Sequence, residues 1–215
     1  MKVKQPDIYT ELPEVRDTAY LMSAREEEET VAHLCLRELV LSETALDGLS
    51  FHGVVLEGCR FISCSLEKAD FIDVRFHNCD FSNCAFHESY FSRCDIQGCK
   101  GVGADFGNGK WQNVTVADCN FRYAGFDRTS MHTVQITDSS LYGANMAGCT
   151  LKNLMLQQVD CSSVSFFQTP LKGMDFTTCH LDGIVVSGDF RELRGAIVNP
   201  YQAAELAKLM GLVIH

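Results

Sequence analysis

The 215-residue sequence predicts an all-β solenoid, a coil of short extended segments with four sides, closed at its C-terminal end by an α-helix. Three observations lead there. Every fifth residue from Leu36 to Val186 is apolar except Gly101, and this one class takes 12 of the 14 Phe and the only Trp, Trp111. Two residues before each lies a second class, mostly small or β-branched, which includes Val54, Cys59, Cys64, Ala69 and Val74 and holds 9 of the 11 Cys. The other three positions of each five carry nearly all the charge, the Gly and the Asn. A helix repeats about every 3.6 residues and a strand every 2, so neither gives a period of five. Two inward positions separated by one outward residue are locally extended, and the remaining two must turn the chain.

The number of sides follows from what stacks. Four sides place residues 20 apart above one another, and three sides place residues 15 apart. Identical Cys or Val pairs in the small class occur six times at separation 20 and three times at 15. Phe51, Phe71, Phe91, Trp111 and Met131 form one such stack. The pattern resembles the pentapeptide repeat family, A(D/N)LXX, over about Leu34 to Gly188, most closely at C-D-F-S-N (79–83) and A-D-F-I-D (69–73). The resemblance implies a right-handed quadrilateral β-helix, here of about eight turns and roughly 37 Å long at about 4.8 Å per turn.

We divide the chain into an N-terminal cap segment (1–33), the coil (34–190) and a C-terminal helix and dimerisation tail (191–215). In the first, Ser23-Ala24-Arg25-Glu26 reads as a capping box opening a short helix through the acidic run Glu26–Glu29. In the last, the register fails after Val186, since Asp189 and Arg191 would point inward. Asn199-Pro200 reads as a helix start and Gly211 as its stop, with Ala203, Leu206, Ala207 and Met210 on one apolar face. Leu212-Val213-Ile214 follows as an extended apolar tail. Two readings stand here: the helix closes the last turn, or helix and tail, through Leu206, Met210, Leu212, Val213 and Ile214, also join two copies.

No catalytic, cofactor or metal site is expected. A thiol ladder one turn apart is linear, whereas zinc requires ligands that converge tetrahedrally; the Cys are read as small core hydrophobes. Gly98–Gly109 with Lys110 fails the phosphate-loop pattern at Ala104 and Trp111 and keeps the five-residue register. His52, His77, His87 and His132 all face outward, and His77 and His87 lie on opposite sides. The opening MKVKQPDIYTELPEV lacks the apolar run of a secretory signal, and no apolar stretch approaches the roughly 18 residues of a membrane span. A cytoplasmic, non-enzymatic protein without membrane attachment is the expectation.

With 18 basic against 28 acidic residues the net charge is −10, which argues against direct DNA binding. The charge is uneven. Face 1, centred on Phe71, Phe91 and Trp111, nets +2 from Arg93, Lys110, Lys152 and Lys172 against Asp70 and Asp73. Face 2, centred on Phe76, Ile96 and Val116, nets −4 and carries Glu57, Asp95, Asp118, Asp138 and Asp175. Face 3, centred on Phe61, Phe81 and Phe121, nets −1, and face 4, centred on Phe86, Phe106 and Phe126, nets −3 with Glu67, Glu88, Asp105 and Asp127. These nine acids are the candidate partner-binding residues.

The segment P-L-K-G-M-D-F (170–176) and the ending Y-Q-A-A-E-L-A-K-L-M-G-L-V-I-H (201–215) are similar to the Qnr quinolone-resistance group, particularly its chromosomal Gram-positive members. That resemblance implies a cytosolic homodimer joined through its C-termini. It also implies binding to DNA gyrase or topoisomerase IV by partial DNA mimicry and protection of that enzyme from quinolones. The alternative is a non-catalytic scaffold or self-immunity protein with another partner. Many Gram-negative relatives have loops interrupting the coil, and the unbroken register here has none.

Overall fold

The computed structural model describes residues 2–214. The chain opens with an extended segment and β1 (Glu14–Val15), then α1 (Ala19–Glu26), and enters the coil at β2 (Val31–Ala32) and β3 (Cys35–Arg37). The first turns hold β4 (Val40–Ser42), β5 (Ser50–His52), β6 (Val55–Glu57) and β7 (Arg60–Ile62). Thereafter faces 1 and 2 share single eight-residue strands, β8 (Asp70–His77), β9 (Tyr90–Gln97), β10 (Lys110–Ala117), β11 (Ser130–Thr137) and β12 (Thr150–Gln157). All pairings are parallel: Phe51 lies beside Phe71, then Phe91, Trp111, Met131 and Leu151. The repeat is therefore 20 residues and the coil four-sided. From Val31 to Leu151 face 1 makes about seven ladder rungs rather than the eight turns expected.

Pro170 accounts for the difference. Elsewhere on this face the residue at that position donates its N–H to the turn below, as Thr150 does to Thr129 O (3.1 Å). Proline has no such hydrogen. The backbone of Gln158 turns instead to Thr178 Oγ1 (3.2 Å), and a cleft of about 260 Å³ opens between Leu154–Gln157 and the turn above.

The chain turns its corners at one position in five, where Asn78, Asn83 and Asn108 adopt φ of 52–55°. Asn tolerates this left-handed conformation better than most residues. On faces 3 and 4, Asp80, Asp105 and Asp160 accept the backbone N–H two residues on, from Ser82, Gly107 and Ser162 at 3.1, 2.8 and 3.0 Å. This local bond is the reason for Asp or Asn just before the central apolar residue.

The two inward classes form one continuous core. Aromatic rings stack turn upon turn, Phe51–Phe71 at 4.9 Å, Phe71–Phe91 at 4.7 Å, Phe86–Phe106 and Phe106–Phe126 at 5.0 Å. Gly101, the one gap in the apolar class, is covered by Phe121 from the next turn: a Cβ placed there would lie 2.4 Å from Phe121 Cε1. The interior thiols are more than hydrophobes. Cys59, Cys84, Cys94 and Cys149 donate to the carbonyls of Leu36, Phe61, Phe71 and Phe126 (2.9–3.3 Å), one turn and three residues earlier. Ser89, Thr129 and Thr169 do the same to Leu66, Phe106 and Met146. Where the second class holds Cys, Ser or Thr, its donor thus gives an inward carbonyl a partner in a dry core. Burial pushes the Cys94 and Cys149 thiols up to about 12, which keeps them protonated and unreactive.

Both ends depart from the sequence expectation. Ser23 lies inside α1, not at its start, and the acidic run falls at and beyond its end. Asp17 Oδ1 takes the Ala19 N–H at 2.9 Å, and Leu21 and Ala24 are buried. Residues before β1 form a strap along the corner between faces 1 and 2. Lys4 N reaches Asn113 Oδ1 (3.4 Å), Asp7 N reaches Asp73 Oδ1 (3.0 Å), and Tyr9 packs on His33 (4.7 Å). At the other end the register does not stop at Val186 but slips by two residues. Leu171 N bonds Glu192 O and Phe176 N bonds Ile197 O (both 2.9 Å), so Leu193, Ala196 and Val198 continue the inward classes, while between them Gly173 N reaches one residue further, to Gly195 O (2.8 Å).

Buried Glu192 holds this slip together. It accepts Ser187 Oγ (2.6 Å), Gln168 N (2.8 Å) and Ser187 N (3.2 Å). The helix α2 (Pro200–Leu209) then lies over the open end. Its cap is reciprocal, Asn199 Oδ1 with Gln202 N (3.0 Å) and Gln202 Oε1 with Asn199 N (2.8 Å). Gln202 Nε2 also donates to Phe176 O (2.7 Å) and Cys179 O (2.6 Å) in the last turn.

Candidate partner-binding surface

A solenoid presents its outward positions as straight columns, one residue per turn. In the N-terminal half most charges on successive turns alternate in sign and pair, as in Arg37–Glu57 (2.6 Å), Lys68–Glu88 (3.8 Å), Arg75–Asp95 (3.7 Å) and Asp80–Lys100 (3.9 Å), with Asp47 and Glu67 the exception. Arg93 grips Asp73 with two nitrogens at 2.6 and 2.5 Å. Burial pushes the Asp73 carboxyl up, but the bonds from Arg93 and Asp7 outweigh that and hold it below its ordinary range.

This pairing sorts the nine candidate acids. Glu57 is committed to Arg37, Asp95 to Thr115 Oγ1 (2.6 Å) and Arg75, and Glu88 to Lys68. Asp127 lies 3.8 Å from Arg128. Asp105 and Asp175 each accept the N–H two residues on, and Asp105 also lies 3.6 Å from His87. Only Asp118, Asp138 and Glu67 carry side chains with no hydrogen bond or ion pair among the described residues, and all three are exposed. Asp118 and Asp138 occupy one column on successive turns. They edge a shallow groove between faces 2 and 3, whose other wall carries Lys100, Arg122 and Asp160.

Sequence reasoning missed a second surface feature. On face 3, Arg122 lies over the ring of Tyr142 (4.5 Å to its centre) and near that of Tyr123 (5.7 Å), and the two tyrosines meet edge to face at 5.6 Å. Tyr123 is 58% exposed. The signal was available: residues 122 and 142 are one turn apart, but an outward Tyr has no place in a charge tally.

The proposed dimer residues divide. Leu206 is half-buried against the core, whereas Met210, Leu212, Val213 and Ile214 stand 62%, 56%, 80% and 47% exposed. A 350 Å³ hollow where α1 meets the coil is lined by Arg25, Glu28, Glu29, Thr30 and Asp47, with no Cys or His among its lining residues. No helix of the described residues is long and apolar enough to cross a membrane.

These features define a parallel β-solenoid of five-residue units that presents chemistry on flat outer faces. The chain carries a pentapeptide repeat region: the family model of that description matches residues 69–146, and that for nine pentapeptide copies matches 41–89. A curated relative, pentapeptide repeat protein VPA0095 of Vibrio parahaemolyticus, is 29% identical over 101 residues, 46% of this chain and 45% of that protein's length. Two trypsin-treated structures of QnrB1, a plasmid-mediated fluoroquinolone resistance protein, share the fold. They superpose with TM-scores of 0.53 and 0.52 at 19% and 20% identity, covering 86% and 84% of this chain and 99% of each of theirs.

Proposed function

We propose that this protein binds a type II topoisomerase, DNA gyrase or topoisomerase IV, by partial mimicry of duplex DNA and protects it from quinolones. The observation that carries the reading is the pair Asp118 and Asp138, like charges on successive turns with no counter-ion of their own. Such a column is destabilising in isolation, and a cationic surface shaped for DNA would neutralise it. The mimicry is partial: B-DNA of the coil's roughly 37 Å length has about 22 charges. The shared fold with QnrB1 and the Qnr-like C-terminal segment support the same reading, as does the exposed tail for a homodimer. In a gyrase supercoiling assay with ciprofloxacin, added protein restores supercoiling, and Asp118→Lys/Asp138→Lys abolishes the rescue. No rescue at any protein concentration refutes the proposal.

A second reading rests on the Arg122–Tyr123–Tyr142 patch, whose composition is that of protein-interface hot spots. In that case the coil is a scaffold for another partner. A pull-down that recovers a different protein and no topoisomerase, and that is lost in Tyr123→Ala, favours this scaffold reading.

A further inference from the structure

The sheet that covers faces 1 and 2 stops at β12, although the coil goes on. On faces 3 and 4 the same two turns still pair, with Asp160 beside His180 and Ser165 beside Val185. On faces 1 and 2 only the corners are tied, by Cys149 N to Thr169 Oγ1 (2.8 Å) and Gln158 N to Thr178 Oγ1 (3.2 Å). Between those corners no hydrogen bond crosses from β12 to the turn 170–177 among the described residues. Lower turns show what is missing, since there Gly53 N bonds Ile72 O and Arg75 N bonds Val54 O (both 3.0 Å). At the gap the N–H groups of Leu151, Asn153 and Leu156 have no partner among the described residues. Neither does the carbonyl of Leu154 or the N–H of Asp175 above it. The core opens at the same place: Leu151 and Leu154 are half-buried, whereas Met131 and Val134 directly beneath are 1% and 0% exposed.

An unpaired strand edge is a template for another strand. We infer that the gap above β12 is a binding site for an extended segment of another protein, which enters as an added strand. Entry breaks no backbone bond between the two turns, because none spans the gap between its corners. The flanking side chains set the chemistry of that segment. Its inward residues fall between Leu151, Leu154 and Leu156 below and Leu171, Met174 and Phe176 above, so they are apolar. On face 1 its outward residue falls between Lys152 and Lys172, both exposed and without an ion pair among the described residues, so it is acidic. On face 2 it falls between Met155 and Asp175, so it is basic, as Arg75 is beside Asp95 lower in that column. Where β12 turns its corner at Asn153, with φ of 56°, the guest needs Gly or Asn. The segment therefore reads apolar, acid, Gly or Asn, apolar, base, apolar, and runs parallel to β12 as β11 does. The exposed Leu212-Val213-Ile214 of a second copy has neither charge. The inference uses neither Asp118 nor Asp138 and does not rest on the topoisomerase reading.

The test is fluorescence anisotropy of the labelled peptide V-E-G-V-K-V with the full chain, against V-K-G-V-E-V, which has the same composition. The first binds about tenfold more tightly, as expected of a few exposed ion pairs. Lys152→Glu/Lys172→Glu removes the preference and brings the two peptides within about twofold. Lys110→Glu lies on the same face, where β10 is paired on both edges, and leaves the preference unchanged. Hydrogen exchange reads the backbone contact directly. The amides of Leu151, Asn153 and Leu156 exchange fast in the free chain and at least about tenfold more slowly under saturating V-E-G-V-K-V. No binding of either peptide at about 1 mM, equal affinities in the parent, an equal effect of Lys110→Glu, or binding that leaves the three amides unprotected overturns the inference. So does slow exchange of these amides in the free chain; where that protection deepens with protein concentration, the gap belongs to a second copy.

Discussion

Glu192→Gln tests whether one buried carboxylate holds the coil's last turn in its slipped register. Glu192 is 2% exposed and receives three hydrogen bonds, from Ser187 Oγ and the backbone N–H groups of Gln168 and Ser187. Gln is nearly isosteric but offers one acceptor oxygen and an NH2 group. Placed here, its amide hydrogens must face one of those N–H donors. At least one charge-assisted bond, worth about 1.5–3 kcal/mol, is lost and a buried donor is left unpaired. The expected cost is about 2–4 kcal/mol at pH 7.

The pH dependence identifies the charge as the cause. Burial pushes the Glu192 carboxyl up, but the bonds from Ser187 and Gln168 outweigh it and hold the group below its ordinary 4.5. Its contribution is therefore complete above the unfolded value and lost as pH falls through the lowered folded one. Denaturation at pH 7 and at pH 3 should show the gap between parent and variant narrowing in acid. Hydrogen exchange at the Gln168 and Ser187 amides localises it, since solenoids can open end by end. A difference below about 0.5 kcal/mol, or one equal at both pH values, refutes the reasoning.

Gly101→Ala forces a methyl group into Phe121 and should destabilise by about 1–3 kcal/mol; adding Phe121→Leu recovers part of the loss in the same denaturation measurement. Trp111 is buried with its indole N–H unpartnered. Trp111→Phe should accordingly be neutral within about 1 kcal/mol by chemical denaturation, where most large core truncations cost several. For the proposed dimer, Met210→Ser/Val213→Ser should give a monomer by light scattering with an unchanged melting curve; an unaltered dimer removes the C-terminal interface. Leu206 is left intact because it packs on the core.

Most of the fold was legible because the five-residue repeat is enforced locally. The interior needs a large apolar residue and a small or β-branched one on each side, the corner needs a residue tolerant of positive φ, and the Asx turn needs Asp or Asn. Each requirement leaves its mark at a fixed spacing, so the many Phe and Cys report core geometry. Gly101 was legible as a gap, though its filling by Phe121 was not. The slip after Val186 hid because a two-residue insertion scrambles a register count, even though Leu193, Ala196 and Val198 resume it. Gln202, three residues after Asn199, was a readable capping signal that was passed over.

The candidate surface was less legible. A net charge per face counts Glu57 and Asp118 alike, yet one is neutralised by Arg37 and the other by nothing. By itself the sequence determined the architecture, because period, residue size and corner chemistry are local properties repeated along the chain. Only the tertiary structure decided which charges are free, where the strap lies, and that Leu193, Ala196 and Val198 resume the core after the slip. Those depend on contacts between residues a turn or more apart and on a two-residue change in register, which no spacing rule conveys.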